Sequence, residues 1–198
     1  MKPRLPTGTF CIASLAALVW LLPNLASRLI YDRDAILAGE VWRLWTGYLV
    51  HFSASHFVLD LAAFAACGWL LETRTRISRP LFFFGAPLWI SLALLVLVPN
   101  MTRYGGLSAL VVSALVCVAL TLVKEGQGMR WIGWAALVLL AAKTGYELNA
   151  STALFADMSS VQVAPASHLA GSAAALIAWV TTGGNGSMRP RSQPLTSS

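Results

Sequence analysis

The chain has 198 residues, of which 57% are hydrophobic and 11% charged, with a mean hydropathy of +0.68 and a formal net charge of +6. Soluble domains carry roughly 45–50% apolar and 25% charged residues, so this balance excludes a disordered chain, a disulfide-stapled secreted module and an ordinary cytosolic enzyme. The basic residues are dispersed among apolar blocks instead of forming one stripe interleaved with stacking aromatics, which argues against a nucleic-acid partner.

Six apolar blocks follow in chain order: Phe10 to Ile30, Phe57 to Leu71, Leu81 to Pro99, Leu107 to Val123, Trp131 to Leu148, and His168 to Val180. Short connections join most of them. A helix of about 20 residues spans the hydrocarbon core, so the shorter blocks must begin inside the membrane. The expected architecture is an all-α membrane protein, a bundle of six transmembrane helices in the lipid bilayer, over residues 1–182. The Gly-, Arg-, Pro- and Ser-containing stretch 183–198 reads as a flexible cytoplasmic tail.

Lys2 and Arg4 precede the first block, which resembles a signal peptide up to Asn24-Leu25-Ala26-Ser27, but its continuation to Ile30 predicts an uncleaved span. With the N-terminus inside, one set of flanks holds Lys2, Arg4, Arg74, Arg76, Arg79, Lys124, Arg130, Arg189 and Arg191. The other holds Arg28, Arg33, Arg43, Arg103 and Lys143. The excess on the first side predicts that both termini are cytoplasmic. Cys11, Cys67 and Cys117 lie inside apolar blocks without metal-ligand spacing and read as small buried hydrophobes.

The connection after block one contains Gly39-Glu40-Val41-Trp42-Arg43-Leu44-Trp45, an interfacial element in which Glu40 and Arg43 are spaced to form an ion pair. Blocks two, four and six enter from the outer side and open with His56, Ser108 and His168. Ionisable and polar groups at one membrane depth are functional candidates. Block two carries His51-Phe52-Ser53-Ala54-Ser55-His56-Phe57-Val58-Leu59-Asp60, with His56 and Asp60 on one helical face. They can donate to an oxyanion or ligate a metal with His51 or His168. No HExxH or CxxC supports the metal, and none is expected. A structural role for Asp60 stays open.

In Tyr104-Gly105-Gly106-Leu107-Ser108-Ala109, two glycines let the backbone turn sharply, and the serine opens a helix whose free N–H groups can stabilise an oxyanion. Taken alone, Ser108 reads first as a simple N-cap. Gly171 and Ala175 after His168, and Ala109 and Ser113 after Ser108, form small-xxx-small faces that allow the close approach a hydroxyl–imidazole contact needs. A neighbouring imidazole is the base that turns a serine into a nucleophile.

Taken together, Glu40-Val41-Trp42-Arg43, His51 through His56 to position 60, Gly106-Leu107-Ser108-Ala109 and His168-Leu169-Ala170-Gly171 stand in an order that resembles the rhomboid intramembrane serine proteases across all six blocks. The resemblance implies a rhomboid-like six-helix bundle with Ser108 as nucleophile and His168 as general base. It also implies an oxyanion and substrate-binding site at His56, Asp60 and Gly106, and no cofactor. Asp60 stands where the family usually has Asn, and Ala109 where it has Gly. An ionised Asp60 would repel an oxyanion, so it acts as a protonated donor, is structural, or pairs with a histidine.

Tyr104 ahead of Gly-Leu-Ser, Lys143 and Glu147 in block five, and Ala166-Ser167-His168 make the chain most similar to the rhombosortase branch. That similarity implies a membrane-anchored protein substrate with a C-terminal glycine-rich sorting segment, cut near the outer leaflet of a bacterial inner membrane. Hydrolysis and transfer to an amine are both open. The competing class is a catalytically inactive rhomboid-like protein that binds membrane proteins without cutting them.

Overall fold

A computed structural model describes residues 5–150 and 165–182, so the 183–198 tail lies outside the described residues. Among the described residues there are nine α-helices and one two-stranded ribbon. The six longer helices overlie the six apolar blocks. They are α1 (Thr7–Leu21), α5 (Ala54–Arg74), α6 (Ala86–Leu97), α7 (Ser108–Val123), α8 (Gln127–Ala150) and α9 (Pro165–Thr181).

The first block is not one continuous helix. Leu22 leaves the helical region at φ −124° and ψ 76°, because the proline that follows has no N–H and restricts its predecessor. Pro23 then starts α2 (Pro23–Leu29), bent 118° from α1. The apolar block from Phe10 to Ile30 is thus divided between two helices. Among the described residues Ala54–Arg74 alone is long and apolar enough to cross a membrane, α1 and α2 pass the same test only as a bent pair, and Leu81–Leu97 and Ser108–Val123 are shorter apolar helices. The six-span count is thus not reproduced helix by helix.

After α2 the chain forms β1 (Tyr31–Asp32), α3 (Arg33–Leu37) and α4 (Arg43–Thr46). The Asp32 carboxylate caps α3 by accepting from Ala35 N at 3.2 Å. Arg43 is buried and ties this segment together, pairing with Glu40 at 2.6 Å and donating to Ile30 O at 2.8 Å and Ser27 O at 3.2 Å. β1 lies antiparallel to β2 (Arg103–Tyr104), with Tyr31 opposite Tyr104. The ribbon thereby fixes the strand that leads into α7.

α7 is the core helix. Buried residues occur all round it, including Ala109, Val112, Ala114 and Cys117, as expected when α5, α8 and α9 all pack on it. Small residues let α9 approach: Ser113 donates to Gly171 O at 2.6 Å and the Cys117 thiol reaches Ala175 O at 3.8 Å. Outward faces carry large apolar side chains such as Phe10, Trp69, Phe84, Val96 and Trp131, an arrangement suited to a lipid surround. Cys117 is buried and Cys67 half-buried, but Cys11 is exposed on such a face, which corrects its reading as a buried residue.

A π-helical turn at Leu81–Gly85 precedes α6. Far from β2, the buried Glu72 near the end of α5 serves the start of α1, whose N-cap, Pro6, supplies no side-chain cap. Glu72 accepts from Thr9 N and Thr9 Oγ1, both at 2.7 Å, and from Gly8 N at 3.3 Å, satisfying N–H groups that a helix start leaves free. Arg79 Nε lies 2.8 Å from Glu72 Oε2 as an ion pair without hydrogen-bond alignment. Glu72→Ala is expected to destabilise the fold by about 1–3 kcal/mol, because it leaves the Thr9 and Gly8 donors of α1 without their acceptor. Thermal unfolding in detergent measures this, and a native midpoint would refute it.

Candidate active site

The first turns of α5, α7 and α9 are where the sequence places its candidate side chains. Ser53 caps α5 by accepting from His56 N at 3.2 Å, so His56 sits in the first turn and Asp60 one turn below it. His56 Nε2 is 3.2 Å and His51 Nε2 3.5 Å from Asp60 Oδ2, and all three residues are buried. These are ion-pair distances without aligned hydrogen bonds, since Asp60 Oδ2 has no hydrogen-bond partner. Of the roles open to Asp60, this arrangement favours pairing with histidine. The rings of His51 and His56 meet edge to face at 5.1 Å, and Phe52 stacks on His56 at 6.1 Å. Among the described residues no set of three or more His, Cys, Asp or Glu side chains is arranged to hold a metal ion.

Gly106 closes over this cluster. Its φ is +110°, and a Cβ there would lie 2.6 Å from His56 Nε2 and 2.9 Å from Asp60 Oδ2, so the position requires glycine twice over. Two residues on, Ser108 is the first residue of α7, while Leu107 occupies the N-cap without a side-chain cap bond. The N-cap role that the sequence leaves open for Ser108 is therefore not the one it fills. The hydroxyl is left for something else.

Tyr104 links the two sides of the site. Its phenol donates to Gly106 O at 3.3 Å and neighbours the side chains of Ser108 and Ser167. Burial pushes its pKa up to about 12, so it stays a neutral donor throughout the physiological range. Among the described residues no hydrogen bond joins Ser108 to His168. Catalytic contacts are often long until substrate binds.

His168 lies in the first turn of α9, which Pro165 opens, a position where the missing N–H costs nothing. One turn further, Gly171 meets α7 backbone to backbone: a Cβ there would be 2.5 Å from Ala109 O. The residue after Ser108 and the residue one turn after His168 are thus in direct contact. Sequence reasoning assigned no role to Glu147, whose Oε2 lies 3.0 Å from His168 Nδ1 and whose Oε1 accepts from Lys143 Nζ at 2.7 Å. The available signal was two ionisable groups four residues apart inside an apolar block.

No match is found among curated proteins. The family described as the Rhomboid domain matches residues 38–184, a stretch that includes His51, His56, Asp60, Gly106, Ser108, Glu147 and His168. With most of its length matched, from the end of α3 through α9, the chain belongs to the Rhomboid domain family, whose members are integral membrane proteins and serine proteases acting on membrane-protein substrates.

Proposed function

We propose that Ser108 attacks the scissile carbonyl of a membrane-anchored protein, that His168 accepts its proton and returns it to the leaving amine, and that His56 with the Ser108 backbone N–H stabilises the oxyanion. The observation that carries this reading is the contact of Gly171 with the Ala109 carbonyl, because only helices this close can share a proton between Ser108 and His168. Gly106 supports the oxyanion assignment, since its missing side chain leaves the His56 ring beside the α7 N-terminus. No cofactor takes part.

The substrate is proposed to be of the rhombosortase type, a glycine-rich segment before a C-terminal membrane helix and a basic end. The chain spans the bacterial inner membrane six times with both termini cytoplasmic. α5 and α7 each run from a site residue towards Arg or Lys, which supports a site near the outer leaflet. α7 has 16 residues and is about 24 Å long, shorter than the roughly 30 Å core, which is consistent with a Ser108 end below the surface.

A serine-directed fluorophosphonate applied to membranes tests the proposal. The native chain should be labelled, and His168→Ala should reduce labelling by on the order of 10³-fold or more. The proximity of Ser108 to Tyr104, without a hydrogen bond to His168, favours a second reading, the inactive substrate-binding relative. Native chain that resists the probe would establish that reading instead.

A further inference from the structure

Glu147 is 2% exposed in a helix otherwise rich in apolar residues, a placement that is costly unless the charge is paired. Its contacts include Lys143 Nζ at 2.7 Å, one turn earlier on α8, and His168 Nδ1 at 3.0 Å, on α9. Lys143 balances the charge within α8. The second oxygen, Oε2, lies against the imidazole.

We propose that Glu147 is the positioning residue of the His168 base, making the reacting unit Ser108, His168 and Glu147, with Lys143 holding the carboxylate in place. This deepens, and rests on, the assignment of Ser108 and His168 as the reacting pair. An ionised carboxylate only accepts hydrogen bonds, so the contact at Nδ1 puts the imidazole proton there and leaves the Nε2 lone pair for the Ser108 hydroxyl. As Ser108 Oγ bonds to the carbonyl carbon, its proton moves to Nε2, and the imidazolium so formed stays paired with Glu147. Collapse of the tetrahedral adduct breaks the C–N bond, the proton passes from Nε2 to the leaving amine, and the imidazole returns to its neutral form. Glu147 remains ionised throughout. A glutamine at this position can instead donate to Nδ1, which moves the imidazole proton to Nε2 and blocks the base.

The test uses the full chain in detergent as native, Glu147→Gln, Glu147→Asp and Ser108→Ala forms. Each is measured by fluorophosphonate labelling and by cleavage of a reporter with a glycine-rich segment, a membrane helix and a basic end. Glu147→Gln should lower the maximal labelling rate and kcat by on the order of 10²–10⁴-fold, with KM within about threefold of native. Glu147→Asp, which keeps the carboxylate, should recover a substantial part of that loss. Native kcat in Glu147→Gln overturns the proposal, as does a loss that vanishes once rates are expressed per folded molecule. Labelling that persists in Ser108→Ala removes the underlying assignment itself. A silent Ser108→Ala beside a fully active Glu147→Gln removes only the role of Glu147.

Discussion

Ser108→Ala is expected to abolish cleavage of the glycine-rich reporter, a fall on the order of 10⁵–10⁶-fold that leaves only background. The variant keeps the α7 N-terminus and its backbone N–H groups, so any oxyanion stabilisation survives while the attacking oxygen is gone. It should also keep its fold. Leu107, not Ser108, is the N-cap, and no side-chain cap bond is lost, so the cost in stability should stay below about 1 kcal/mol. Equal membrane insertion and an unchanged thermal midpoint, measured beside the loss of cleavage, would separate chemistry from folding. Cleavage that continues in this variant would remove Ser108 from the mechanism.

The second large effect is expected from a single methyl group. In Gly171→Ala the new Cβ would meet the Ala109 carbonyl oxygen at 2.5 Å, the Ala109 carbon at 3.3 Å and Ser113 Oγ at 3.4 Å. The nearest obstacle is backbone, which cannot rotate aside, so α9 must move away from α7. The Ser113 hydrogen bond to Gly171 O, 2.6 Å long, is strained by the same shift. Overpacking of this kind costs about 1–3 kcal/mol, and a displacement of about 1 Å at the reacting atoms lowers the rate by about 100-fold. Gly145→Ala in α8, where nothing lies within 4 Å, is the matched control and should be silent. Native turnover in Gly171→Ala would show that close approach of these helices is not what brings the two side chains together.

Much of the helix pattern was legible in the sequence because apolar blocks and helices follow the same physics. Ser108 is the first residue of α7, at the place where two glycines end and a long apolar run begins. The Glu40–Arg43 pair was readable from its spacing alone. Pro23 was the visible signal for the break in block one, but hydropathy averaged over the block hid it. The two-residue ribbon is too short to leave an alternating pattern. Contacts between distant segments were the least legible. Glu72 at α1 spans 63 residues of sequence and Glu147 at His168 spans 21, and neither separation has a periodic signature. His51 was readable only as a spare ligand, since its approach to Asp60 depends on how the chain turns before α5.

The Tyr31–Tyr104 pairing makes the segment after α2 and the lead into α7 a single mechanical part. Arg43 clamps one end of that part to the carbonyls of Ser27 and Ile30, and the Tyr104 phenol holds the other to Gly106. A displacement at Arg43 is therefore expected to reach, through the ribbon, the backbone two residues before Ser108. The start of α7 would then be held by this crossbrace as much as by the helices packed along its length.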